Sequence, residues 1–342
     1  MMYFLAFLTS AILSIAITPL VRKFAIKIGA VDIPKDNRRM HKEPIPSLGG
    51  LAIYLSVIVS IFLFIKDLDR ELLSIVLGAT VIVVSGIIDD TKGLSPKMKI
   101  LFQTIASIIV IFGGVQIQFL TNPLGQSGSV INLGLISYPV TIIWVVGMTN
   151  AVNLIDGLDG LAAGVSMIAS FAFAYIAFKI GYTTVAIISL IVAGSCLGFL
   201  PYNFNPAKIF MGDTGALLLG FLLSVITVEG IMKSVATIAM AVPIIILGVP
   251  IFDTAFAIIR RKISGKSIST ADKGHLHHRL LALGNSQKKT VLILYGISTL
   301  FALVAIVISN CGVKVGNIIT LVVAIVTIFL AYKFGMFKMQ DK

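Results

Sequence analysis

LLSIVLGATVIVVSGIIDD, residues 72–90, is the stretch on which the reading turns. Its first part, 72–88, carries no charge and nears the roughly 20 apolar residues that an α-helix needs to cross a bilayer. Two adjacent carboxylates, Asp89 and Asp90, then close it. Ten further apolar runs lie near 3–20, 48–65, 98–114, 137–153, 161–178, 183–200, 215–230, 235–258, 290–309 and 316–332. The chain is 57% hydrophobic and 12% charged, where a soluble domain keeps about a quarter of its residues charged. The pattern predicts an all-α integral membrane protein of about 11 transmembrane helices, forming one polytopic domain over residues 1–342. The ninth run contains Pro243 and Pro250, so that helix is expected to be kinked or broken. The first run has no basic segment before it and no small-residue cleavage site, so it reads as a retained span, not a signal peptide.

A net charge of +12 would suit nucleic acid if the basic residues lined a groove. Instead they occupy short loops between apolar runs, which is the mark of membrane topology and excludes a polyanion-binding reading. The segments 21–47, 89–97, 154–160, 201–214, 259–289 and the C-terminal tail, with Lys99 at a span edge, hold every Lys and Arg except Lys66, Arg70, Lys179, Lys233 and Lys314. Basic loops stay in the cytoplasm. The N-terminus is therefore expected outside, the C-terminus inside, and the five internal segments together on the cytoplasmic face. Cys196 and Cys311 have no partner at metal-ligand spacing, so neither a zinc site nor a disulfide framework is expected.

Of the 15 acidic residues, five fall at the cytoplasmic ends of these spans: Asp89 and Asp90, Asp156 and Asp159, and Asp213. Carboxylates so near hydrocarbon are costly unless they meet cations, water or one another. Each group sits beside glycines, which permit close backbone approach. Asp156 and Asp159 share a face if helix continues through them. Hard oxygen donors without cysteine favour magnesium, with manganese as the alternative. One magnesium ion uses one or two protein carboxylates, so five leave a surplus for proton transfer or substrate holding.

Three of the chain's 4 histidines fall in HLHHRL, residues 275–280. With Arg279, the residues His275, His277 and His278 suit phosphate better than zinc, because Arg bonds phosphate oxygens in pairs. The first basic segment, RRMHKEPIPSLGG at 38–50, adds Arg38, Arg39, His41 and Lys42. Asp253, inside the ninth run, reads as a partner for a neighbouring helix.

At RRMHKEPIPSLGG, GIIDDTKGLSPKMK (86–99), NAVNLIDGLDGLAAG (150–164), PYNFNPAKIFMGDTG (201–215), PIFDT (250–254) and HLHHRL, the chain resembles the polyprenyl-phosphate N-acetylhexosamine-1-phosphate transferases. The phospho-MurNAc-pentapeptide translocase of peptidoglycan synthesis is a more distant relative. The motifs occur in order and cover the chain from Pro34 to Tyr295. The resemblance implies a multi-pass enzyme of the bacterial cytoplasmic membrane, facing the cytoplasm. It would transfer N-acetylglucosamine 1-phosphate from UDP-N-acetylglucosamine to undecaprenyl phosphate, release UMP and so start a cell-envelope polymer. It implies Asp213 as the magnesium ligand and Asp89, Asp90, Asp156 and Asp159 as catalytic acids, with Asp89 acting on the lipid phosphate. Asn153 would serve nucleotide binding, Lys42, Asn203 and Phe210 would contact the uridine, and His275, His277, His278 and Arg279 would hold the pyrophosphate. Several relatives carry a third acid where this chain has Gly93, so no role carries over there.

The same chemistry on UDP-MurNAc-pentapeptide, or on another UDP-N-acetylhexosamine, is the alternative reading; oligomeric state, a homodimer included, is left open. A transporter would place its ionisable groups near mid-membrane and show internal repeats. Neither feature is present in the sequence.

Overall fold

The computed structural model describes residues 1–34, 43–121, 130–232, 240–267, 272 and 274–337. Its helices are α1 (Met2–Ile28), α2 (Gly49–Phe64), α3 (Arg70–Lys92), α4 (Pro96–Gly113), α5 (Ser137–Ile155), α6 (Leu161–Lys179), α7 (Thr183–Asn203), α8 (Gly212–Ile226), α9 (Ala241–Ile246), α10 (Gly248–Ile263), α11 (Leu276–Ala282), α12 (Gln287–Asn310) and α13 (Val313–Lys333). Nine helices among the described residues are long and apolar enough to cross a membrane. α2, 16 residues long, is shorter. The ninth run is broken, as expected, into α9 and α10 at Leu247. Pro250 then falls in the first turn of α10, where its missing N–H has no intrahelical partner to lose. The chain is thus an all-α multi-pass membrane protein.

α8 forms the centre. Its span window is 83% buried, against 11% for α13 at the edge, and Leu217, Leu218, Leu219, Phe221, Leu222 and Leu223 are each at most 1% exposed. α2, α3, α5, α6 and α7 pack around it. With no water to expel inside a bilayer, close backbone approach through small residues holds such helices together. Gly50 lies against Gly215, and Gly86 against Thr214, with no room for a Cβ on either Gly50 or Gly86. The first N–H groups of α2, left without intrahelical acceptors, donate from Gly49 to Phe210 O at 2.9 Å and from Gly50 to Met211 O at 2.8 Å. Pro19 inside α1 leaves the Ile15 carbonyl without its usual partner. The Tyr202 hydroxyl donates to that carbonyl at 3.2 Å.

Two short antiparallel hairpins complete the chain. β1 (Val31–Asp32) pairs with β2 (Ile45–Pro46), and β3 (Phe119–Thr121) with β4 (Val130–Asn132).

The helices overrun the apolar stretches that announced them. Asp89 and Asp90 lie in the last turn of α3 and Asp213 in the first turn of α8. Segment 259–289 is not one loop, because it holds the end of α10, all of α11 and the start of α12. The expected shared helical face of Asp156 and Asp159 does not form. α5 ends at Ile155, and Gly160 at φ 81° turns the chain into α6.

Candidate active site

Helix dipoles explain why the acids converge. Negative charge is disfavoured at a helix C-terminus and positive charge at an N-terminus. Asp89 and Asp90 occupy the C-terminal turn of α3, and Lys99 the first turn of α4. Each offends its own helix and is balanced by a neighbour. Asp90 caps the N-terminus of α8, accepting from Asp213 N at 2.9 Å, Thr214 N at 3.1 Å and Thr214 Oγ1 at 2.6 Å. Gly212 permits this contact: it has φ 70°, and a Cβ there would lie 2.8 Å from the Asp90 carboxyl carbon. Lys99 Nζ stands 2.8 Å from Asp89 Oδ2 and also pairs with Asp213. Asp89 Oδ1 accepts from Leu94 N at 2.6 Å.

The register of α4 against α5 is set lower in the bundle. Asn150 Nδ2 donates to Gln103 Oε1 at 2.6 Å. Lys99 lies four residues before Gln103 and Asn153 three after Asn150, on the same helical faces. The amide pair, in which Gln103 is buried, therefore delivers both Lys99 and Asn153 to Asp213, whose Oδ1 accepts from Asn153 Nδ2 at 3.2 Å.

Ligand atoms of Asp89, Asp90 and Asp213 all lie within 4.8 Å of one another. Three carboxylates so close suit a hard divalent cation. Asp90 spends its oxygens on α8, which leaves Asp213 and Asp89, now held by Lys99, as the better donors. The donor set fits magnesium or manganese and does not distinguish them.

Asp90 and Asp213 line a cavity of about 820 Å³, together with Asn153, Asp156–Asp159, Asn203, Phe210 and His278. Residues of segments 21–47, 89–97, 154–160, 201–214 and 259–289 all contribute to its lining. Asp159 accepts from Asn205 Nδ2 at 2.9 Å and Ala207 N at 3.1 Å, so it braces the 205–207 loop. Asn203 ties Gly160 N, at 3.0 Å, to Ile209 O, at 3.0 Å. The backbone of Phe210 bonds Pro46 O at 2.8 Å, joining this loop to β2. Asp156 alone of the five acids has a carboxyl that makes no hydrogen bond or ion pair among the described residues; its backbone N–H donates to Asn153 O at 3.2 Å. Burial pushes its carboxyl up to about 8, reinforced by the charges of Asp213, Asp90 and Asp159.

The histidines divide. His278 lines the cavity. His277 is 3% exposed, packs on Gly157 and lies 4.1 Å from the His278 ring, centroid to centroid. Burial, then the nearby His278, pushes His277 down to about 3, so it stays neutral at physiological pH and brings no positive charge to a phosphate. His275 Nδ1 donates to Asp253 Oδ2 at 2.8 Å, and Leu276 N to Asp253 Oδ1 at 2.7 Å. Asp253 thus caps α11, the pairing role expected for it. Arg279 Nε donates to Gly274 O at 3.0 Å and does not line the cavity. Lys42, with Arg38, Arg39 and His41, lies outside the described residues.

Lys99 is the residue whose part the sequence reading missed, having been counted only as a topology signal. Its position carried a second signal, a cation in the first turn of a helix, three residues after the helix's Pro96.

Known proteins point the same way. A family model described as glycosyl transferase family 4 matches residues 72–231. The chain is 44% identical over 331 residues (97% of this chain, 92% of the relative) to a probable undecaprenyl-phosphate N-acetylglucosaminyl 1-phosphate transferase of Bacillus subtilis. It is 36% identical over 317 residues (84% and 78%) to a decaprenyl-phosphate N-acetylglucosaminephosphotransferase of Mycobacterium tuberculosis. A phospho-N-acetylmuramoyl-pentapeptide-transferase of Halalkalibacterium halodurans is 35% identical over 319 residues (88% and 94%). Matching these enzymes at 35–44% identity over 84–97% of its own length, the chain belongs to the polyprenyl-phosphate N-acetylhexosamine-1-phosphate transferases of glycosyl transferase family 4.

Proposed function

We propose that this protein transfers N-acetylglucosamine 1-phosphate from UDP-N-acetylglucosamine to undecaprenyl phosphate, releasing UMP, at the cytoplasmic face of a bacterial cytoplasmic membrane. The product would start a cell-envelope polymer. The observation that carries the reading is the convergence of Asp89, Asp90 and Asp213, of which Asp90 and Asp213 line the cavity. Those three acids stand at the ends of membrane helices, where a lipid headgroup and a water-borne nucleotide can both arrive. The N-acetylglucosamine relatives favour that sugar over the pentapeptide-bearing one, at 44% against 35% identity.

An oxygen of the lipid phosphate attacks the β-phosphorus of the nucleotide sugar. The new P–O bond forms as the bond from β-phosphorus to the bridging oxygen breaks, and UMP departs with that oxygen. Such a transfer asks the protein for positioning and charge neutralisation. Asp213 and Asp89 would hold magnesium, which when bound supplies charge neutralisation for the pyrophosphate. Lys99 places a fixed positive charge beside them. Asp90 orients Asp213 by fixing the start of α8. Asn153, Asn203 and Phe210 line the nucleotide end, while His278 faces the phosphates. Asp156 is the carboxyl left to take a proton from the lipid phosphate, since Asp89 is held by Lys99 and Leu94 N.

Purified protein incubated with undecaprenyl phosphate, magnesium and a panel of UDP-sugars should release UMP with UDP-N-acetylglucosamine. No UMP from any sugar sinks the reading. Excess EDTA should stop transfer, and undiminished turnover in EDTA would remove the metal. Inversion at phosphorus from a chiral substrate is expected for one displacement; retention would require a two-step route through an enzyme carboxylate.

The pH profile tests Asp156. Its pKa is raised to about 8, so it is mostly protonated at pH 7 and becomes a base as pH rises. The kcat/KM profile reports groups of the free enzyme and should climb with pH and level off above about 8, the value set by burial of Asp156. Asp156→Asn should lose that limb. A limb that persists in the variant assigns the titration elsewhere.

A further inference from the structure

α10 carries Asp253 and Arg260, seven residues apart and so on one face. Each meets an opposite partner from the segment that leads into α11. Asp253 receives His275 and Leu276, as described. Arg260, 0% exposed, donates from Nε to Asp272 at 2.9 Å and from Nη2 to the same oxygen at 2.5 Å. Asp272 also accepts from Gly274 N at 2.7 Å. Gly274 is required, since a Cβ there would lie 2.5 Å from the Arg260 guanidinium carbon.

Arg260 has a third bond, and it reaches the far end of the chain. Its Nη1 donates to Met336 O at 2.5 Å. The geometry at that end is specific. Gly335, at φ 69°, follows the last turn of α13; its N–H bonds Tyr332 O at 3.0 Å, and Met336 N bonds Ala331 O at 2.8 Å. This 6→1 and 5→2 pairing is a Schellman turn, and it aims the Met336 carbonyl at Arg260. Arg279, next to His278, reaches Phe334 O at 3.5 Å from the same turn. Apolar contacts fasten it as well. Met336 and Ala331 cluster with Phe256 of α10, and Phe337 meets the Phe256 ring edge-on at 5.2 Å.

We propose that the C-terminal turn, 331–337, positions the site: through Arg260 and Arg279 it sets where α11 stands and so where His278 meets the cavity. Helix α13 is otherwise nearly free of the bundle, and its end is the part that grips α10 and α11. A buried guanidinium shared between Asp272 and a backbone carbonyl cannot be reproduced by lysine, whose ammonium lacks the planar fork. Neither Arg260 nor Arg279 lines the cavity. They act through α11.

The activity arm of the test rests on the transfer reaction proposed above, whereas the structural arm does not. Two truncations are compared in the full membrane protein, one ending after Phe337 and one after Lys333, together with Arg260→Lys. The chain ending at Phe337 keeps the turn and should match the full-length protein in both arms. The chain ending at Lys333 and Arg260→Lys should lose about tenfold or more in kcat, with KM for the UDP-sugar changed by less than about threefold, because a displaced group penalises the transition state more than ground-state binding. Amide hydrogen exchange in 274–282 should quicken about tenfold or more in both, reporting the local loosening directly. Unchanged exchange overturns the proposal, and so does quickened exchange with unaltered kcat. If the full-length protein transfers nothing from any UDP-sugar, the functional reading falls and exchange alone decides the positioning: quickening upholds it, no change refutes it.

Discussion

Asp213→Ala is expected to lower UMP release by about a hundredfold to a thousandfold, the scale seen when one preorganised charge-stabilising group is removed from an active site. The argument is one of shared duties. Asp213 accepts from Asn153, pairs with Lys99 and stands within ligand distance of Asp89 and Asp90. Its loss opens the cation site, frees Asn153 Nδ2 and leaves Lys99 to Asp89 alone. Folding should suffer far less. Asp213 is an acid in the first turn of α8, a placement worth about 0.3–1 kcal/mol, and Asp90 still caps the helix through the backbone N–H groups of residues 213 and 214. Turnover near wild type would remove Asp213 from the centre of the site. Loss of the folded protein in detergent would show instead that its role is structural. Thermal unfolding and UMP release, measured on the same preparation, separate these outcomes.

Lys99→Met is expected to lower kcat by about tenfold to a hundredfold, or about 1.4–2.7 kcal/mol. Removing one member of a fully buried charge pair costs about 3–5 kcal/mol. Lys99 and Asp213 each keep 25% side-chain exposure, so water screens part of that loss. The informative readout is the divalent cation dependence. With the ammonium gone, the carboxylates present more negative charge, and the concentration of magnesium for half-maximal transfer should fall. Lower turnover with tighter apparent cation binding would identify Lys99 as a competitor for the acids and a fixed charge for the transferring phosphate. If half-saturation rises or stays put, Lys99 does not share these carboxylates with the metal.

The sequence held the fold class because hydrocarbon imposes a simple rule on it. Apolar runs near span length and basic residues between them can be counted without any tertiary knowledge. It also singled out most of the residues that meet at the candidate site, since acids beside glycines at span ends are costly. Even the break in the ninth helix was written in Pro243 and Pro250.

What each residue does was decided only by folding. Asp89 and Asp90 are adjacent and chemically identical, yet one answers to Lys99 and the other to the start of α8, because α4 and α8 approach different sides of the same helical turn. His275, His277 and His278 form one motif, yet one is bound to Asp253, one is buried against Gly157 and neutral, and one faces the cavity. Asp156 and Asp159 have similar sequence surroundings, but only Asp159 receives the 205–207 loop. The link from Arg260 to Met336 spans 76 residues of separation, and no local pattern announces it. Hydropathy and charge act locally along a chain and can be read there. Hydrogen-bond partnership depends on which helices end side by side, and that is fixed only when the bundle packs.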